Sequence, residues 1–423
     1  MLLERTFEKN PAMIEAAVRL HQDGLVPAGS WMFDLDAIAQ NATSLAKEAR
    51  RLGLQTYLMT KQIGRNPFVI ALALQCGLNK TVAVDMPGAR LLRRYRIPLG
   101  HIGHLNQIPV YAIPEALSMR PDVITVYSVE AARRISDAAA ELNIRQDLLL
   151  QVYRPNDVFF PGQEGGFSAA ELLGAAREIQ SLPNVRIAGV TSFPVLSYDF
   201  HGVQETAFNP NMQTIVEAAR QLRGELGIEV TQINAPGNTS VSTMAMLREG
   251  GATHVEPGHG LTGTTPPQIV EPDHAEIPAF TFVTEVSHHY EGKAYGIAAG
   301  GLWALMGGFM DSTWRMGGLV GADPKAALDN RLDYEHLDQI IDYHIPLVPG
   351  DRAKVGDTVV FPTYTQAHMT RAYIVPVSGI QSGNPRVWGV FDNATTMLDR
   401  DWNPVTPNEV IRLIDELLEQ YPA

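Results

Sequence analysis

In TYLMTKQIGR, residues 56 to 65, an apolar run ends on a lysine. A charged side chain is seldom carried on such a run without a partner or a purpose. A lysine amine held in a site can bond covalently to a carbonyl. A second run, THVEPG (253–258), delivers a glutamate, and a third, LLLQVYR (148–154), an arginine. Lys61, Glu256 and Arg154 converging on one rim would be more than solvated strand ends. Two turns add a different signal. NAPGNTS (234–240) and EPGHGLTGTTP (256–266) are rich in glycine, with serine and threonine nearby. Small residues with free backbone N–H groups at a helix N-terminus suit an anion, above all phosphate, although glycine is also the usual turn residue.

The elements that must position these residues repeat regularly. Eight short apolar runs, QTYLMTK (55–61), KTVAVD (80–85), HIGHLN (101–106), VITVYS (123–128), LLLQVYR (148–154), VRIAGVTSF (185–193), EVTQINA (229–235) and THVEPG (253–258), are each followed by a helical pattern. Their continuous apolar character suits parallel strands buried on both faces. An α/β fold is therefore expected, a (β/α)8 barrel over residues 30–270. The rival, a doubly wound open sheet, loses ground because no G-x-G-x-x-G turn follows the first strand. In a barrel the carboxyl ends of the strands carry the chemistry. Those ends are Lys61, Asp85, His104, Asn106, Ser128, Arg154, Ser192, Phe193, Asn234 and Glu256. Asp85 and Ser128 could equally cap the helices that follow them. The two glycine-rich turns follow strands seven and eight, where barrels often bind phosphate.

After Pro266 the pattern changes to a period of two, with AFTFVTEVSHHY (279–290), KAYGIAA (293–299), KVGDTVVFP (354–362), RAYIVPVSG (371–379) and RVWGVFDN (386–393) reading as antiparallel strands. Residues 271–423, with 1–29, are expected to form a mainly antiparallel β-domain closed by an amphipathic helix from about Pro407 to Gln420. The stretch Gly300 to Gly321, with Trp303 and Trp314, reads as a loop packed against something, such as another subunit.

Composition excludes several classes. With Lys+Arg 33 against Asp+Glu 46 and a net charge of −13 over 423 residues, nucleic acid is not the expected partner. The one cysteine, Cys76, leaves no intrachain disulfide framework and fits a reducing compartment. No apolar stretch reaches membrane-spanning length, and MLLERTFEKN lacks a signal-peptide core. The expected location is cytoplasmic.

A lysine on strand one and a phosphate cradle at strands seven and eight suggest a phosphorylated carbonyl cofactor. Here the chain resembles the alanine-racemase-like (fold type III) pyridoxal-phosphate enzymes, nearly end to end. FDLDAIAQNATSLAKEARRLG is similar to that family's opening helix, and the strand-one lysine and both phosphate turns follow. The resemblance implies pyridoxal 5'-phosphate as cofactor, with Lys61 forming the internal aldimine. It further implies phosphate contacts from Gly237, Asn238, Thr239 and Ser240, and from Gly258, His259, Gly260 and Thr262. Arg154 would approach the cofactor's 3-hydroxyl or a substrate carboxylate, and Phe193 would stack on the ring where relatives use histidine. Two departures matter. TKQIGRNP replaces the racemases' sequence after the lysine, and Glu256 stands where alanine racemases have arginine, as in the EPGR motif of the family's basic-amino-acid decarboxylases. A carboxylate there pairs with a protonated pyridinium, the stronger electron sink. Those decarboxylases also need a cysteine in the second domain, where this chain has none.

An amino-acid racemase is thus the first reading. A decarboxylase, an aldolase or a non-catalytic carrier of the cofactor are the alternatives. Racemisation needs a second base. In alanine racemases it is a tyrosine of the partner subunit's β-domain, whose position AYG (294–296) resembles, so Tyr295 is the first candidate, with Tyr364 and His368 next. A homodimer with shared sites is implied. His288 and His289, adjacent on a strand, would point to opposite faces and make a poor metal pair.

Overall fold

The structure is a computed structural model that describes residues 2–199, 205–270, 273–300, 317–335 and 343–421. Most of the glycine-rich stretch between Gly300 and Gly321 lies outside the described residues.

Eight parallel strands form the barrel: Gln55–Met59, Lys80–Ala83, Leu99–Ile102, Val123–Val126, Gln146–Tyr153, Val185–Thr191, Gln232–Asn234 and His254–Val255. Each pairs with the next, and the eighth pairs with the first, so the sheet is closed. Alternation along the strands divides their side chains. Tyr57, Met59, Val82, Val123, Leu149 and Ala188 form one cluster, whereas Leu58, Ile124, Leu148 and Leu150 belong to the layer under the helices. The first helix, Leu35–Leu52, shows why the sequence makes these elements. Asp34 caps it by accepting from the backbone N–H of Asp36 and Ala37. Leu35, Ile38, Ala42, Leu45 and Ala49 give a buried stripe at helical spacing, and Gly53 ends it in the left-handed region at φ 66°.

The second domain is a mainly antiparallel sheet whose long strand, Phe280–Tyr290, pairs with Lys293–Ile297 and Thr358–Phe361. Ser30–Asp34, which reads in the sequence as the start of the barrel region, belongs to this sheet. It runs antiparallel to Phe280–Tyr290 and parallel to Tyr373–Ser378. All five of its residues are buried, so its pattern matches that of a barrel strand. Helices Leu2–Lys9 and Pro11–Gln22 cover the same sheet, with Met13, Ile14 and Val18 packed among Val283, Val360 and Val375. The last helix, Pro407–Leu418, packs on Pro67–Gln75 of the barrel, so the chain ends on the domain it left. Among the described residues no helix is long and apolar enough to cross a membrane.

Candidate active site

A cavity of about 460 Å³ opens at the carboxyl ends of the barrel strands, lined by Lys61, His104, Phe193, Glu256, the turns at Gly237–Thr239 and Gly258–His259, and Tyr364 from the second domain. Lys61 follows the first strand in a tight turn that the second domain clamps: the backbone N–H of His368 donates to the Lys61 carbonyl at 3.2 Å, and that of Ala367 to the Gln62 carbonyl at 3.3 Å. Gly64, at φ +59°, sits so close to this segment that a Cβ would lie 2.6 Å from Ile374. The Lys61 Nζ stands 5.8 Å from the centre of the Phe193 ring. Burial brings its amine down to about 8, with the Glu256 charge opposing.

Glu256 is fixed from two sides. His101 Nδ1 and Asn234 Nδ2 both donate to its Oε1, at 2.8 and 2.9 Å. Because the carboxylate can only accept, Nδ1 carries a proton, and His101 Nε2 pairs with the Thr125 hydroxyl at 2.6 Å. Burial alone would push this carboxyl up, but the adjacent His104 and His101 rings and the Asn234 hydrogen bond outweigh it and hold it at about 2. Its second oxygen, Oε2, is buried with no hydrogen-bond partner and faces His104 Nε2 at 3.9 Å.

The two turns meet beside this pair. Gly237 has φ +134°, where an L side chain is strained, and a Cβ would stand 3.3 Å from the Val195 N–H nitrogen. A Cβ on Gly260 would come within 2.3 Å of the Thr239 carbonyl oxygen, so one turn is seated on the other. Thr239 Oγ1 and His259 Nε2 are buried without partners, while His259 Nδ1 pairs with Thr264 Oγ1 at 3.0 Å. Burial pushes His259 down to about 3, so it is a neutral ring. Tyr364 stacks on it with ring centres 4.0 Å apart, and burial raises its phenol.

The structure therefore brings together Lys61, Phe193, Gly237, Asn238, Thr239, Glu256, Gly258, His259 and Tyr364. It does not bring the others to the cavity. Ser240 is committed to a capping box with Thr243 at the start of helix Val241–Glu249, and Thr262 Oγ1 pairs with Thr264 Oγ1 at 2.8 Å. Gly260 supports the turn from beneath. Arg154 lies outside the cavity lining, and its charge acts on Glu217 of helix Pro210–Leu226. Tyr295 lies on strand Lys293–Ile297, stacked on His288 with ring centres 4.7 Å apart, away from the cavity of its own chain. His368 touches the Lys61 loop through its backbone, and burial lowers its ring to about 4. Asp85 and Ser128 cap helices Met86–Arg94 and Val129–Glu141, and Asp85 also pairs with Arg65 at 2.8 Å. The sequence reading missed His101 and the use of Asn234. His101 opens the run HIGHLN and Asn234 ends the strand Gln232–Asn234, but nothing in a single sequence says that their side chains meet Glu256.

Comparison with known proteins agrees with this architecture. Residues 33–266 match the alanine racemase N-terminal domain, and residues 281–387 match the YhfX-like C-terminal domain. The chain is 38% identical over 393 residues, 93% of its length and 98% of the other, to the uncharacterized protein YhfX of Escherichia coli (strain K12). Solved structures share the fold at 16% identity. A D-threonine aldolase from Filomicrobium marinum covers 86% of this chain and 95% of its own at a TM-score of 0.61. A D-threo-3-hydroxyaspartate dehydratase from Delftia sp. HT23 covers 85% and 96% at 0.59, and an alanine racemase from Clostridium difficile 630 covers 87% and 99% at 0.59. A barrel matched over more than half of the chain, together with a relative aligned nearly end to end, makes this protein a member of the alanine racemase N-terminal domain family that shares its second domain with YhfX.

Proposed function

We propose that this protein is a pyridoxal-phosphate-dependent enzyme acting at Cα of an amino acid, and specifically an amino-acid racemase. Members of its family use pyridoxal phosphate. The residues present fit that group. The unpartnered Thr239 hydroxyl and His259 Nε2, with the side-chain-free Gly237 and Gly258, suit the phosphate. Lys61 is the amine for the carbonyl carbon, and the observation that carries the reading is Glu256. Its carboxylate is ionised, one oxygen accepts from His101 and Asn234, and the other is buried without a hydrogen bond, which suits a pyridinium N–H.

Bound there, pyridoxal phosphate supplies an electron sink for negative charge developing at Cα of an amino acid. The chain's own residues supply the rest. Glu256 would hold a protonated ring nitrogen, and the desolvated Lys61 amine would take or return the α-proton on one face. A racemase needs a second base on the other face. Tyr364 is stacked on His259 at the phosphate end and His368 meets the Lys61 loop through its backbone, so the candidate we favour is Tyr295, whose segment AYG (294–296) resembles the tyrosine that alanine racemases supply from the partner subunit. Because Tyr295 lies away from the cavity of its own chain, it would serve the site of a second copy.

The test is incubation of the protein, loaded with pyridoxal phosphate, with single amino acids in deuterated water. Deuterium at Cα, with both enantiomers formed and the carboxylate retained, is the expected outcome. Release of carbon dioxide, an aldehyde or ammonia instead would replace the racemase assignment with that of a decarboxylase, an aldolase or a dehydratase. A loaded Lys61→Ala protein should lose the visible absorbance band of the wild type.

A further inference from the structure

We infer that the amino acid on which this site acts carries an uncharged, apolar side chain larger than methyl, of the leucine, methionine or phenylalanine kind, and that Val158, Phe160 and Met369 receive it. This rests on the cofactor reading above and not on the choice of racemisation, since every reaction at Cα brings the substrate to the same place. With Glu256 at the ring nitrogen and the phosphate on the two turns, Cα must come within reach of the Lys61 amine. All amino acids bring the same amine and carboxylate there, so selection among them falls on the side chain.

Charge and shape around Lys61 both point to such a side chain. Among the described residues that line the cavity, the ionised ones are Lys61 and Glu256, and the cofactor engages both. The other titratable rings, His104 and His259, are lowered by burial to about 4 and about 3 and stay neutral. A charged substrate side chain would be buried there without a partner, at a cost that apolar contacts do not offset. The shape is that of a built apolar wall. The Phe193 ring, 5.8 Å from the Lys61 amine, meets the Phe160 ring at 5.6 Å between centres. Phe160 and Val158 lie on the loop after strand five, and one buried side chain fixes that loop. Asn211, on helix Pro210–Leu226, accepts from the Val158 N–H at 2.9 Å and donates to the Val158 carbonyl at 3.1 Å. It also donates to the Ser192 hydroxyl at 3.0 Å, which ties the loop to the residue before Phe193. Asp157 adds a second tie by accepting from the Thr214 hydroxyl of the same helix at 2.9 Å. Yet the wall is open to water. Val158 is 43% exposed, and Met369, which faces the same cavity from the second domain, is 52% exposed. Apolar side chains held in place but left wet are stabilised when apolar surface covers them, and alanine's methyl would cover little of this wall.

The test uses the full-length protein loaded with pyridoxal phosphate and titrated with single amino acids, read by the change in visible absorbance and by deuterium uptake at Cα. Leucine, methionine and phenylalanine should act at concentrations roughly tenfold or more below those of alanine, as the burial of about two further methylene groups predicts. Aspartate, glutamate, lysine and arginine should be weaker still. Val158→Asp puts a carboxylate into the wall at a partly exposed position, and should move the preference toward lysine and arginine by roughly tenfold. Phe160→Ala should weaken the response to phenylalanine more than that to alanine. A tightest response to a charged amino acid or to alanine overturns the inference, as does a Val158→Asp protein with the wild-type preference. A folding defect in either variant would show in its circular dichroism, and the wild-type ranking of amino acids decides the question without them. A coloured protein that no amino acid affects overturns the inference and leaves the cofactor reading standing. One that stays colourless with added cofactor overturns both.

Discussion

Lys61 and Glu256 meet the same apolar surroundings with opposite results, and each result is testable. Lys61 has no hydrogen-bond partner strong enough to offset its burial, so its amine falls to about 8. An unfolded chain keeps this lysine near 10.5, so between about pH 8 and 10.5 the unfolded state binds the extra proton. Stability of the cofactor-free protein should therefore rise across that window relative to Lys61→Met, as followed by thermal melting. The uncharged amine is the nucleophile, so the rate of cofactor uptake should climb through about pH 8 and then level off; a climb that continues toward 10.5 would contradict a desolvated Lys61. Glu256 is held below the usual carboxylate range, so its stabilising contribution is complete above about 4.5 and is lost as pH falls toward 2. Glu256→Gln should flatten that acid limb of the melting curve and weaken cofactor retention. Both residues were legible in the sequence because a charge ending an apolar run is conspicuous. His101 was not, because a histidine inside LGHI gives no sign of whether it faces the barrel lumen or the helices.

At the level of elements, the site depends on two turns resting against each other. Gly260→Ala places a methyl group 2.3 Å from the Thr239 carbonyl, which would force the turns apart. The expected result is a loss of about 1–3 kcal/mol in stability together with weaker cofactor binding, measured by denaturant melting and absorbance titration. A variant that loses affinity but no stability would mean that Gly260 touches the cofactor directly. The eight strands were readable because burial on both faces removes polar alternation from them, and the helices between them carry caps and apolar stripes. For the same reason Ser30–Asp34 was misplaced, since a fully buried strand of either sheet has the same pattern. Arg154 misled in another way. The strand that delivers it, Gln146–Tyr153, was identified, but the direction of a side chain just past a strand end depends on the loop, which contains Asp157 accepting from the Arg154 N–H at 2.9 Å.

For the whole molecule, the separation of Tyr295 from the cavity of its own chain makes assembly part of the proposed mechanism. If each site joins Lys61 of one copy to Tyr295 of another, Lys61→Ala and Tyr295→Phe proteins should each be nearly inactive. Mixed under conditions that exchange subunits, they should recover activity, up to a quarter of the wild-type level in a randomly paired dimer. Mixtures that stay inactive while sedimenting as dimers would place the second base within the same chain. The second sheet has a different consequence. Ser30–Asp34 is made early in synthesis, yet one of its neighbours, Tyr373–Ser378, emerges only after the barrel and most of the second domain. At ordinary elongation rates of about 5–20 residues per second, the strand waits on the order of tens of seconds for its partners, while the barrel can already close. The nascent chain thus carries a finished barrel beside an unpaired strand whose Trp31, Met32 and Phe33 are still uncovered, and that interval is when the protein is most exposed to misassociation and most in need of a chaperone.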